Sequence, residues 1–134
     1  MKTKSILAFI FIFLSFSASA DDQFNIYKSY QKAHSANRPI YYVVANGGCS
    51  HCESYLKNTI TPNFQEINRN FVFALSDLSK GDKVPSNIPF DGTTPTTYIL
   101  SPNGKLMIDP IKGDFGPNYF RQIMDKLYEA FSAR

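Results

Sequence analysis

The stretch Gly47-Gly48-Cys49-Ser50-His51-Cys52-Glu53 carries both cysteines of the chain, and it follows, one residue on, an unbroken apolar run, Ile40–Ala45. A short run of β-branched and aromatic residues without polar interruption reads as a strand covered on both faces. Asn46 and the two glycines that follow form a turn, because glycine takes backbone angles that other residues avoid. From Cys49 the chain can be helical to about residue 58. A buried strand that turns sharply into a helix, with helical sequence further on, constrains the chain to an α/β architecture. Closing so short a loop with a disulfide removes little entropy from the unfolded chain, since that effect grows with loop length. The C-x-x-C spacing is therefore a poor staple and a good redox couple.

The chain begins with Met1-Lys2-Thr3-Lys4, an apolar run over residues 6–16, and Ser17-Ala18-Ser19-Ala20. A basic start, an apolar middle and a small-residue exit describe a secretory signal peptide over residues 1–20, with cleavage after Ala20. The apolar run is short of the roughly 20 residues that span a bilayer, so no stable membrane anchor is expected after cleavage. Residues 21–134 then form one domain in a compartment outside the cytoplasm, the periplasm. Fourteen Lys and Arg stand against eleven Asp and Glu, a net charge of +3 on the whole chain. These charges are scattered without a basic stripe, so no nucleic-acid partner is expected.

Phe24, Tyr27, Tyr30 and His34 recur at helical intervals and predict an amphipathic helix over 22–36, ended by Arg38-Pro39. Thr61-Pro62 marks a break before a second helical piece over 63–68, with Phe64 and Ile67 facing the core. Residues 71–75 read as a second strand, and residues 78–92 as a long polar loop. Residues 94–100 read as a third strand, Ser101-Pro102-Asn103-Gly104 as a hairpin turn and residues 105–108 as a fourth strand. Residues 111–117 read as a glycine-containing connection. A last helix over 117–131 puts Phe120, Ile123, Met124, Leu127 and Phe131 on one face.

Four of these features together resemble the thioredoxin family. They are the strand Ile40–Ala45, the Cys49-Ser50-His51-Cys52 pair at the following helix, Thr94-Pro95-Thr96 opening a strand, and the Gly113 loop before a final amphipathic helix. The likeness spans nearly all of residues 22–132 and is nearest to small exported bacterial thioredoxin-like proteins. It implies a thioredoxin-like fold, a mixed four-stranded sheet with helices on both faces. It also implies a cis peptide bond before Pro95, beside the cysteine pair, with Thr94 and Pro95 receiving an extended substrate segment by strand addition.

The chemistry expected of the pair is thiol–disulfide exchange, which needs an attacking thiolate and a second thiol to resolve the mixed disulfide. Cys49 precedes the helix, where unpaired backbone N–H groups stabilise negative charge, and is the expected nucleophile. Cys52 lies one turn inside and is the expected resolving thiol. His51 lies between them, and histidine titrates near neutral pH and can stabilise a neighbouring thiolate. The strong periplasmic oxidants of the family carry histidine at this place. Thr94 resembles instead the isomerases and some reductases, so the direction of exchange stays open at the level of sequence.

The chain also departs from the family pattern. Val43 stands where reductants carry a buried acid, Gly48 where they carry Trp, and Ser50 where proline or glycine is usual. Asn46 and Glu53 are the nearest polar residues. An alternative use of the cysteines is a copper or zinc carrier drawing on Cys49, Cys52, His51 and His34, but a helix points His51 away from a neighbouring sulfur. The expected state is thus a monomer without bound cofactor or resident metal. Its partners would be protein thiols and disulfides together with a separate redox partner.

Overall fold

The computed structural model describes residues 23–132; the segment expected to be a signal peptide, residues 1–20, lies outside them. Helix α1 spans Ile26–Ala36 and is started by Asn25, whose side-chain oxygen accepts from the backbone N–H of Tyr27 and Lys28 at 2.9 and 3.2 Å. This satisfies two of the donors a helix start leaves unpaired. The helix stops at Asn37, which takes the left-handed conformation at φ 52°, while the N–H of Arg38 returns to the carbonyl of Ala33. Asparagine tolerates that conformation better than most residues, and it closes the last turn.

The buried face of α1 is Ile26, Ser29 and Ala33 rather than the aromatic set read from the sequence. Tyr27 is 51% exposed, Tyr30 is half-buried and His34 is exposed. Phe24 precedes the Asn25 cap and lies outside the helix. Its ring packs edge-on against Phe64 and Phe73 in the other layer of the protein, and its carbonyl accepts from Leu75 N–H. The cap sets the phase of the helix. Small residues then face the sheet and let the helix approach it.

Strand β1, Ile40–Ala45, is buried at every position and sits inside the sheet. It pairs in parallel with β2, Val72–Asp77, and antiparallel with β3, Thr96–Leu100. A short strand β4, Ile111–Lys112, completes the order β2-β1-β3-β4 by pairing antiparallel with Thr96 and Thr97. Alternate residues of β1 feed two separate cores. Tyr41 and Val43 join Tyr55, Ile67, Phe120 and Met124 on one face. Ile40, Tyr42 and Val44 join Ile26, Ala33 and Ile88 on the other. Burying an aliphatic or aromatic side chain contributes roughly 1.5–3 kcal/mol, so a strand with both faces covered is the natural centre of the fold.

Between β1 and β2 the chain forms helix α2, Ser50–Tyr55, a π-helical turn Leu56–Ile60, a 3-10 turn Thr61–Asn63 and helix α3, Phe64–Asn70. The expected break is present, and the distortion reaches upstream of Pro62. Proline has no N–H and its ring crowds the carbonyl four residues earlier, so the preceding turn widens. Thr61 bonds to the Leu56 carbonyl through both its backbone N–H and its hydroxyl, and the Asn63 side chain donates to the Thr59 carbonyl at 2.7 Å. Those side chains satisfy acceptors that a regular helix would have used.

The fourth strand is a correction. The hairpin turn forms, with Gly104 N–H donating to the Ser101 carbonyl at 2.8 Å and Ser101 N–H to the Lys105 carbonyl at 2.7 Å. Residues 105–108, however, make only one bridge, Leu100 opposite Leu106, formed by the Ser101–Lys105 and Met107–Ile99 bonds. Pro110 cannot donate to a ladder and restricts Asp109 before it. Pairing resumes at Ile111–Lys112, the segment read as a connection.

The long loop after β2 is also more ordered than a polar stretch suggests. Leu78, Val84, Ile88 and Phe90 pack on the α1 side of the sheet, with Ile88 buried. Helix α4, Pro117–Ser132, buries Phe120, Met124 and Leu127, with Ile123 and Phe131 half-buried against the same layer. Helices thus cover both faces of the sheet, α1 on one and α2 to α4 on the other.

Candidate active site

The turn from β1 into α2 brings Cys49 to the helix start. Cys49 N–H donates to the Asn46 carbonyl at 3.3 Å, and Gly48 takes a positive φ of 75°. Gly47 touches the loop after β2: a Cβ there would stand 2.5 Å from Ser79 Oγ. Asp77 holds Ser79 by accepting from both its backbone N–H and its hydroxyl. The glycine pair therefore provides a bend at Gly48 and a close contact at Gly47.

Cys49 and Cys52 are joined as a disulfide, with Cα atoms 5.2 Å apart. Cys49 is the cap of α2, and its Sγ accepts from Cys52 N–H at 3.1 Å. Cys49 is half-buried, whereas Cys52 is only 2% exposed. The two sulfurs therefore differ in access, and only the first meets an incoming group from solvent.

Across from the pair, the Thr94-Pro95 peptide bond is cis. Thr94 sets both its carbonyl oxygen and its hydroxyl oxygen 3.6 Å from Cys49 Sγ. When the disulfide is open, the hydroxyl can donate to a Cys49 thiolate and the carbonyl can accept from a thiol. Asp91 accepts from Thr93 N–H at 2.9 Å and pairs with Lys112 of β4. The Thr96 hydroxyl donates to the Thr93 carbonyl at 2.6 Å, and Gly113 N–H to the Pro95 carbonyl at 2.7 Å. The Lys112 hydrogen bond, followed by those from Thr93, holds the Asp91 carboxyl well below the usual carboxylate range. Nothing in the sequence marks Asp91 or Lys112, since an aspartate in a polar loop carries no signal.

Cys49, Cys52, Thr94 and Pro95 are thus brought together. His51 is one residue inside α2 and exposed, as are Asn46 and Glu53. His34 lies in the last turn of α1, where Nδ1 pairs with Asn103 at 3.2 Å. Among the described residues no three of His, Cys, Asp and Glu are grouped to hold a metal ion.

Beneath α2, Val43 is fully buried and pairs with Thr97 in β3. Beside it runs a buried chain of hydroxyls: Tyr41 to Tyr55 at 2.6 Å, and Tyr55 to Thr97 at 2.7 Å. Burial pushes both phenols well above their ordinary range, so they remain neutral. The layer under the cysteine pair holds hydroxyls that are satisfied by one another.

No family model and no curated protein matches the chain by sequence. Solved structures do match it. A protein described as a DsbH oxidoreductase superposes with a TM-score of 0.60 at 12% identity, over 78% of this chain and 82% of its own. A thioredoxin from Thermus thermophilus gives 0.59 at 16% identity, over 78% of this chain and 84% of its own. A wild-type thioredoxin h from poplar gives 0.50 at 18% identity, over 75% and 86%. At these identities the likeness is one of fold, and the fold is thioredoxin-like.

Proposed function

We propose that this chain of thioredoxin-like fold is a periplasmic thiol–disulfide oxidoreductase that donates its Cys49–Cys52 disulfide to exported proteins. One observation carries the reading: the outer sulfur, Cys49 Sγ, faces a backbone donor at Cys52 and the hydroxyl of Thr94 beside the cis Thr94-Pro95 bond. The sequence of residues 1–20 supports export. Among the described residues no helix is long and apolar enough to cross a membrane.

In the first step a substrate thiolate attacks Cys49 Sγ. The Cys49–Cys52 bond breaks, and Cys52 leaves as a thiolate that takes up a proton. In the second step another substrate thiolate attacks the substrate sulfur bound to Cys49, and Cys49 leaves as a thiolate. The substrate loses two electrons and gains a disulfide; the chain gains them as a dithiol, which a redox partner reoxidises. Thr94 and Pro95 receive the extended substrate segment.

Two donors, Cys52 N–H and the Thr94 hydroxyl, favour charge on Cys49 and so stabilise the dithiol form. A stabilised reduced form makes the disulfide a stronger oxidant. The Cys52 N–H and the Thr94 hydroxyl thus push in one direction, which supports oxidation against the resemblance of Thr94 to the isomerases and some reductases. The protein acts as a monomer without bound cofactor.

The test is the reduction potential of the chain in glutathione buffers. A value near about −120 mV is expected, in the range of strong periplasmic oxidants. A value near about −270 mV would place the chain among reductants and overturn the direction. Failure of the pair to cycle would overturn the activity itself.

A further inference from the structure

A groove of about 590 Å³ lies between α4 and the segment 105–108, lined by eleven residues. Its lining includes Leu106, the residue that bridges to Leu100 at the end of β3. The redox site is at the other end of that strand, beside Thr96, about 13 Å away at the usual rise of a strand. The groove is therefore a separate feature of the surface.

Three large apolar side chains are exposed among the described residues, and two of them, Leu106 at 41% and Tyr119 at 49%, line this groove. A single exposed apolar residue is ordinary, but two in one groove with the half-buried Met107, Ile108 and Ile123 make its lining mostly apolar. Lys105 and Lys126 are exposed on the lining, and among the described residues that lining contains no carboxylate. The occupant therefore combines an apolar body with a negative group.

Size decides its class. Small-molecule sites have volumes of roughly 300–1,000 Å³. A stable protein interface needs about 800 Å² and 20–30 residues on each side, well beyond this groove. Along α4 the lining runs from Lys126 back to Tyr119, a length of about 10 Å at the helical rise, which suits an aliphatic chain of medium length.

We propose that the groove binds a free medium-chain fatty acid, its carboxylate at Lys105 and Lys126 and its alkyl chain along the face of α4 towards Tyr119. The test is calorimetric titration of the full chain with laurate below its micellar concentration, alongside dodecyltrimethylammonium, which has the same tail and the opposite charge. Laurate binds one per chain and at least tenfold more tightly than the cation, and amide shifts concentrate at 105–108 and 119–130. The double variant Lys105→Glu/Lys126→Glu, changed at two exposed positions, melts as the parent does and binds laurate at least tenfold more weakly. Gln122→Trp, also at an exposed position, fills the groove between Lys126 and Tyr119 and blocks laurate without altering the charge. Absence of laurate binding, equal binding of the two amphiphiles, or unchanged affinity in the double variant overturns the proposal. So does binding only to phosphatidylglycerol vesicles, or a dimer of this chain that Leu106→Asp dissociates.

Discussion

Thr94 places its hydroxyl oxygen 3.6 Å from Cys49 Sγ, although 45 residues separate the two in the chain. The contact is long for a hydrogen bond to sulfur, yet it reaches the more exposed of the two sulfurs. It joins the two halves of the site, the helix start after β1 and the loop before β3.

Thr94→Val keeps the shape of the side chain and removes the donor. A hydrogen bond to a charged group contributes about 1.5 kcal/mol at its usual length, and half of that is a fair allowance here. About 0.7 kcal/mol corresponds to roughly 0.5 pKa unit and ~15 mV. The Cys49 thiol pKa rises and the disulfide becomes less oxidising by these amounts, measured by thiolate absorbance and glutathione equilibration. An unchanged pKa would exclude the hydroxyl as a source of thiolate stability.

Cys52→Ser leaves a free Cys49 that accumulates covalent mixed disulfides with exported proteins, seen as adducts on non-reducing gels. Cys49→Ser accumulates none through the buried Cys52. Equal trapping by the two variants would contradict the assignment of roles from burial.

Gly47→Ala drives a Cβ to 2.5 Å from Ser79 Oγ and 2.8 Å from Ser79 Cβ. Overpacking of this kind costs about 1–3 kcal/mol. In a Ser79→Gly background the same change costs less than half as much, because the obstructing atoms are gone. Denaturant unfolding of the four proteins measures the coupling, and a simple sum of the two effects would deny the contact.

Tyr55→Phe removes the hydroxyl that links Tyr41 to Thr97 and leaves both without that buried partner. The expected loss is about 2 kcal/mol, larger than the net value of one hydrogen bond, because unmet buried groups remain. Both phenols are neutral through the physiological range, so the loss does not vary between pH 6 and pH 8, as parallel urea titrations would show.

Glu66 receives both guanidinium nitrogens of Arg121 at 2.7 and 2.8 Å and the Tyr128 hydroxyl at 2.6 Å, tying α3 to α4. The Arg121 hydrogen bonds hold its carboxyl below the ordinary glutamate range. A lowered folded-state pKa contributes stability that is full above about 4.5 and is lost as pH falls through the folded value. Arg121 is half-exposed and solvent screens the pair, so Glu66→Gln costs about 1 kcal/mol at pH 7. The difference between parent and variant closes as the pH drops below about 4, and a constant difference down to pH 2 would contradict the linkage.

The Ile40–Ala45 strand, the Cys49-x-x-Cys52 turn, Thr94-Pro95 and the face of α4 were legible in the sequence. Each is written in local pattern: an unbroken apolar run, a fixed spacing, a proline at a strand start, a helical period over four turns. What the tertiary structure alone decided is where distant segments meet. Ile111–Lys112 is too short to show a period, and it becomes a strand because β3 offers it an edge after Pro110 has interrupted the pairing. Phe24 had the spacing of a helix, yet Asn25 caps the helix after it and its ring belongs to the opposite core. Gly47 against Ser79, the Tyr41–Tyr55–Thr97 chain and the Asp91–Lys112 pair likewise join residues with no common local pattern. Periodicity records which face of an element is buried; which neighbour covers it depends on packing between elements far apart in the chain, and that information exists only once they have docked.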